Sequence, residues 1–251
     1  MQNTIGLHEP ALVSPQAFLD RMTHLWSTRP FNMNTTPALL GGWGVLVDYF
    51  NRVIRSNVSG AEQKLSYALP LPTGSGKTEG TCVYAALQAE RNLGHPNPVG
   101  MLIVTRLIVD ADKVAEKINA VAERVVAVAH HSEHKLTSSE MAEFDVLVIT
   151  HQAFMNAAEA FSARVPDRWN MLHQWSKGTR SLIVVDEALA NAVDHCEATS
   201  GDLDVVLRAI PYELRREYPL ALKTLETLKS YLDSKENKKA PGCDASKMLW
   251  G

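Results

Sequence analysis

Leu71-Pro72-Thr73-Gly74-Ser75-Gly76-Lys77-Thr78 decides the reading of this 251-residue chain. Gly74 and Gly76 let backbone N–H groups curl inward without Cβ clashes, and a run of inward N–H groups makes a concave anion receptor. The octet leads into residues 77–93, an alanine-rich stretch that reads as a helix. The loop therefore opens onto unpaired helix N-terminal donors and the positive end of a helix dipole. The short apolar run 65–69 before it reads as a strand. A strand, a glycine loop and a helix beginning Lys-Thr predict a receptor for a triphosphate. Thr73, Gly74, Ser75 and Gly76 wrap the phosphates, Lys77 brings a full charge to the β and γ groups, and the Thr78 hydroxyl suits Mg²⁺. The general pattern begins with glycine, where this chain has Leu71.

Working outward, strand and helix patterns alternate. Residues 100–105, 125–129, 145–149 and 182–185 are short, mainly apolar runs that predict strands, and 110–123 and 152–161 have helical periodicity. Apolar strands separated by helices predict a doubly wound parallel sheet covered on both faces, an α/β fold. Upstream, Ser14-Pro15 opens one helix, and Trp43, Val47, Tyr49, Phe50 and Ile54 mark a second over 43–54, broken by 57–60. Past Asp186 the pattern over 203–232 is entirely helical. Pro219 is placed to start a helix that carries Leu222, Leu225 and Leu232 on one stripe. The expected organisation is N-terminal helices in 1–60, an α/β lobe in 61–200, a C-terminal helical extension in 201–233 and a tail in 234–251.

A second motif completes the first. The apolar run in Leu182-Ile183-Val184-Val185-Asp186-Glu187-Ala188-Leu189 delivers two carboxylates at a strand's C-terminal end, where ligands bind in open α/β sheets. Asp186 suits Mg²⁺, and Glu187 suits orienting and deprotonating a water. The pair resembles the Walker A and Walker B elements of superfamily 2 DEAD/DEAH-type helicases and translocases. That group favours Pro-Thr-Gly-Ser-Gly-Lys-Thr, which stands here at 72–78, and Asp-Glu-Ala followed by His or Asp, matched through Ala188 but not at Leu189.

The resemblance covers about residues 65–190. It implies a RecA-like P-loop NTPase lobe that hydrolyses ATP with Mg²⁺, with Lys77 and Glu187 catalytic and Thr78 and Asp186 holding the metal. It also implies an adenine contact from Gln63 and nucleic-acid backbone contacts from Thr105, Arg106 and Thr150, although each threonine is equally well placed as a helix cap. DNA or RNA becomes the expected partner, together with a second RecA-like lobe or subunit supplying an arginine finger. The nearest echo of the family's Ser-Ala-Thr motif, Glu197-Ala198-Thr199, follows Glu187 by only about ten residues with no strand to hold it, and is rejected. Two other readings stand beside the motor: a non-motor ATP-binding protein with a protein partner, and a P-loop small-molecule kinase. Glu187 next to Asp186 argues against the kinase, because it suits activating water rather than a metabolite.

Composition narrows the field. With 45% hydrophobic and 21% charged residues the chain can bury a sizeable core, and its net charge of −3 excludes holding nucleic acid by bulk charge. Any such binding is then weak and local. Cys82, Cys196 and Cys243 are too far apart for a paired-cysteine zinc signature or a disulfide framework, and Cys82 alone between the two motifs excludes a four-cysteine iron–sulfur cluster. There is no leader-like segment and no apolar run of the roughly 20 residues that span a bilayer, so a cytoplasmic protein with no membrane partner is expected. His130, His131, Glu133 and His134 have spacing that permits a metal site, but the polar stretch running to Glu140 reads as an exposed loop. Trp169 and Trp175 flank an apolar helix and read as packing residues.

Overall fold

Proline opens the first two helices. In α1 (Pro15–Ser27) and α2 (Pro37–Val58) it stands at the first helical position, where its missing N–H costs no hydrogen bond. Thr36 caps α2 by accepting from the Leu39 N–H at 3.3 Å, whereas Ser14 holds the cap position of α1 without a side-chain bond. The chain continues through α3 (Lys77–Arg91), β1 (Gly100–Thr105), α4 (Ile108–Ala122), β2 (Ala127–His130), α5 (Ser138–Glu143) and β3 (Val146–Thr150). It closes with α6 (His151–Ser162), α7 (Asp167–His173), β4 (Gln174–Trp175) and β5 (Gly178–Val185). This computed structural model describes residues 9–28, 31–59, 66–187 and 200–236. Two compact units, 1–192 and 193–251, divide the chain.

In the first unit five strands form one sheet in the order β2-β3-β1-β5-β4. The first four are parallel, and β4 pairs antiparallel with the start of β5. Alternate side chains divide between two cores, as pleating requires. Met101, Ile103, Val146, Val148 and Leu182 face α1, α2, α3 and α4; Leu102, Val104, Leu147 and Ile149 face α5, α6 and α7. Both faces are therefore covered, and the N-terminal helices share one core with the sheet.

The run expected to be a strand at 65–69 differs. Leu65 lies outside the described residues, and 66–69 are irregular. Ser66 and Tyr67 interrupt the apolar run that a strand buried on both faces needs. Tyr67 instead stacks on Tyr49 of α2, with ring centroids 4.3 Å apart. Among the described residues β5 has no strand beyond Thr179 on the side away from β1, and Asn57 Nδ2 donates to Ser181 O there at 2.7 Å.

The polar stretch after β2 also holds more structure than expected. Thr137 and Glu140 form a reciprocal capping box that starts α5. In the second unit the helical pattern expected over 203–232 is three helices, α8 (Ser200–Ala209), α9 (Tyr212–Glu217) and α10 (Pro219–Glu236), the last starting at Pro219 as expected. Pro211 and Pro219 make the breaks, because each lacks an N–H and keeps its predecessor out of helical conformation. The α10 helix packs on α8 with Leu222, Leu225 and Leu232 half-buried, and Asp204 pairs with Arg208 at 2.6 Å and Lys229 at 3.7 Å. Of the expected tail, 234–236 end α10 and 237–251 lie outside the described residues.

Candidate functional site

The glycine loop has one open side and one packed side. Gly74 and Gly76 have φ of +79° and +78°, a region that costs an L side chain about 1–2 kcal/mol. A Cβ on Gly74 would meet nothing within 4 Å, whereas one on Gly76 would come within 2.8 Å of Trp26 Cζ3. Trp43 Nε1 donates to Ser75 O at 2.9 Å, and Trp26 meets Trp43 edge-to-face at 5.4 Å between centroids. Two indoles thus hold the loop from below. Neither was singled out as a site residue, because an aromatic at helical spacing reads as core.

Several donors gather around the loop. Gly76 is the N-cap of α3 and offers no side chain to cap the N–H groups of the first turn, which among the described residues have no side-chain acceptor. Ser75 Oγ is buried with no hydrogen-bond partner among the described residues. Lys77 Nζ folds back and donates to Leu71 O at 2.6 Å and Pro72 O at 3.1 Å. Unpaired N–H groups, an orphan hydroxyl and a cation are the donor set that polyphosphate oxygens take.

The second motif meets the first. Thr78 Oγ1 donates to Asp186 Oδ2 at 2.7 Å, joining residues 108 positions apart. Strand β5 delivers Asp186, whose N–H donates to Val104 O at 2.9 Å on β1. His151 Nε2 lies 3.2 Å from Asp186 O and donates to it as the Nε2–H tautomer, a contact no sequence pattern pointed to. Glu187 follows with φ of +69°, which for a non-glycine residue is backbone strain of about 1–3 kcal/mol. Strain of this kind persists where the surroundings over-determine a conformation, and active sites are where it collects.

Two hollows flank the Thr78–Asp186 contact. A cleft of about 1380 Å³ is lined by Tyr49, Phe50, Tyr67, Gly74, Lys77 and Asp186, among others. A smaller hollow of about 240 Å³ lies among Thr78, Thr105, Arg106, Lys113, Asp186 and Glu187. Lys117, on the same helix as Lys113, forms an ion pair with Glu79 in the first turn of α3.

Arg106 is exposed, but the two threonines expected to touch nucleic acid are turned inward. Thr105 is 2% exposed, and its hydroxyl is within reach of Leu107 O at 3.3 Å and Ile149 O at 3.4 Å. Thr150 caps α6, its Oγ1 accepting from the Ala153 N–H at 3.3 Å. Gln63 lies outside the described residues, as do Ala188 and Leu189.

Cys82, in the second turn of α3, is fully buried, and burial pushes its thiol up to about 12. Its position therefore serves packing rather than nucleophilic chemistry. No protein-family model matches this chain, and no curated protein matches it significantly. Among the described residues no helix is long and apolar enough to cross a membrane.

Proposed function

We propose that this chain carries the RecA-like, P-loop ATP-binding lobe of a superfamily 2 helicase or translocase, hydrolysing ATP with Mg²⁺. The observation that carries the reading is the 2.7 Å contact between Thr78 and Asp186. A hydroxyl and a carboxylate brought together beside an open phosphate-type loop are hard oxygen donors that fit Mg²⁺ with substrate phosphates and water. Held by Thr78 and Asp186, Mg²⁺ would supply charge neutralisation for the triphosphate. Lys77 exchanges its two carbonyl acceptors for phosphate oxygens. The loop N–H groups and the α3 N-terminus orient the triphosphate, and the large cleft with Tyr49 and Tyr67 takes the nucleoside. Glu187 accepts the proton of the attacking water, whose oxygen bonds to the γ-phosphorus as the bond to the bridging oxygen breaks, giving ADP and phosphate. Arg106, at the smaller hollow, offers charge to a nucleic-acid phosphate.

One observation favours a second reading, a lobe that binds ATP and a protein partner without nucleic acid. The hydroxyls of Thr105 and Thr150 are engaged internally, leaving Arg106 alone of the three expected contacts. Fluorescent-nucleotide titration with phosphate-release assays tests both. Lys77→Ala is expected to weaken ATP binding, and Glu187→Gln to retain binding while abolishing hydrolysis. Equal binding by wild type and Lys77→Ala would sink the nucleotide assignment. Phosphate release indifferent to single-stranded DNA and RNA at low salt would replace the motor reading with the second one.

A further inference from the structure

A second cluster sits at the β2 edge of the sheet. Asp112 projects from α4, while His131 and His134 occupy the turn after β2. That turn is pinned by a reciprocal backbone pair: His131 N–H to His134 O and His134 N–H to His131 O, both 3.1 Å. His131 Nε2 lies 2.9 Å from Asp112 Oδ1, and the two imidazole centroids are 6.0 Å apart. One ligand atom from each of the three residues lies within 4.8 Å of the other two.

We propose that Asp112, His131 and His134 bind one divalent transition-metal ion of the zinc class, with water completing the coordination. Zinc takes imidazole and carboxylate ligands at about 2.0–2.2 Å, and three protein ligands plus a water is one of its recurring arrangements. Two imidazoles beside one carboxylate favour a transition metal over Mg²⁺ or Ca²⁺, which prefer all-oxygen sites.

A plain Asp112–His131 ion pair uses only two of the three converging groups. The His131 side chain is only 3% exposed, and its Nδ1 is buried with no hydrogen-bond partner among the described residues. A ring so buried keeps Nε2, the nitrogen that faces Asp112, as the one presented to an ion. His134, fixed in the same turn by its backbone pair with His131, brings its imidazole to the same place. Neighbouring candidates are excluded from the ligand set. Neither His130 nor Glu133 is among the three converging residues, and His130 Nδ1 is engaged by the Leu136 N–H at 3.1 Å. Bound metal would tie α4 more firmly to the turn after β2, which the Asp112–His131 contact already links.

The test is titration of the full chain, free of nucleotide, with Zn²⁺ by calorimetry and with Co²⁺ by visible absorption. One ion per chain is expected, with the d–d bands of low-coordinate cobalt and a raised melting temperature. Asp112→Asn and His134→Asn leave the buried His131 ring in place, so the fold is retained and checked by circular dichroism. Each should weaken binding by more than about 100-fold, since loss of even an outer partner costs ~10–100-fold. Lys77→Ala and Asp186→Asn should leave binding unchanged, which separates this site from the nucleotide site. Wild-type affinity no tighter than millimolar overturns the proposal. So does unchanged binding in both Asp112→Asn and His134→Asn, or loss of the ion on Asp186→Asn.

Discussion

The two faces of the sheet are held by different means. Beneath α1 to α4 lie large, fully buried side chains, including Phe18, Met22, Trp43, Ile54 and Ile118. Beneath α5 to α7 the apolar layer is thinner, and Arg180, 2% exposed, sits inside it. Its guanidinium donates to Met141 O at 2.6 Å, Phe144 O at 3.1 Å and Leu172 O at 3.3 Å, and also to Gln174 O. One cation thus gathers carbonyls from the ends of α5 and α7 and from β4 onto β5. Burial lowers its pKa to about 10, which leaves it charged at neutral pH. The first face supports the glycine loop through packed volume. The second needs only to keep β5 in register, so that Asp186 arrives opposite Thr78.

Substitutions on each face sharpen or break that contrast. The largest effect is expected at Phe18, 0% exposed, which packs edge-to-face on Tyr84 at 6.2 Å. Phe18→Ala should cost about 4 kcal/mol in urea unfolding. It should also weaken nucleotide binding, because Phe18 underlies Gly80 in α3. Arg180→Met should cost about 3 kcal/mol by stranding several carbonyls, yet leave nucleotide affinity nearly intact in the folded protein. A larger loss of binding from Arg180→Met than from Phe18→Ala would reverse the assignment of the two faces. Trp43→Phe keeps the ring in the core but deletes the bond to Ser75 O. The expected loss is about 1 kcal/mol in stability, with a roughly fivefold drop in nucleotide affinity by fluorescence titration.

The smallest expected effect is a dependence on pH at the thinner face. His173 stacks near Trp169 at 4.6 Å with its Nε2 buried and unpartnered among the described residues, and burial, aided by the Arg180 charge, lowers its pKa below 6.5. Because the folded value is below the unfolded one, its contribution is complete above pH 6.5 and is lost as pH falls from there through the lowered value. The melting temperature should decline over that acid window, and His173→Phe should flatten the decline. His130, lowered by burial and by His131 and His134, shifts the same way, so some slope should survive. An unchanged slope in His173→Phe would assign the acid sensitivity elsewhere.

Much of this was legible in the residues. Runs such as 100–105, with four consecutive large apolar residues at 101–104, suit a short strand buried on both faces, and β1 forms there. The meeting of Thr78 with Asp186 was legible too, because each motif sits at the junction of a strand end or loop with a helix start. Other features were not. Leu65–Leu69 chemistry looks strand-like locally, but at 66–69 pairing of Tyr67 with Tyr49 takes the chain elsewhere, and side-chain stacking across distant segments leaves no periodic trace. Trp26 and Trp43 look like any core aromatics until the loop is seen resting on them. Asp112 is one of many helix-surface carboxylates, and its approach to His131 depends on how α4 crosses β2.

The burial of Cys82 gives the molecule an internal clock. A thiol whose pKa is about 12, sealed within α3, reacts with a disulfide reagent only after that helix opens. With Cys196→Ser and Cys243→Ser in place, the labelling rate reads the opening frequency of the helix that begins at Lys77. A ligand seated on the first turn of α3 must slow that rate in proportion to its occupancy, whereas an ion held at the far edge of the sheet slows it only by stabilising the whole unit. The same cysteine can therefore time two binding events separately, without touching either site.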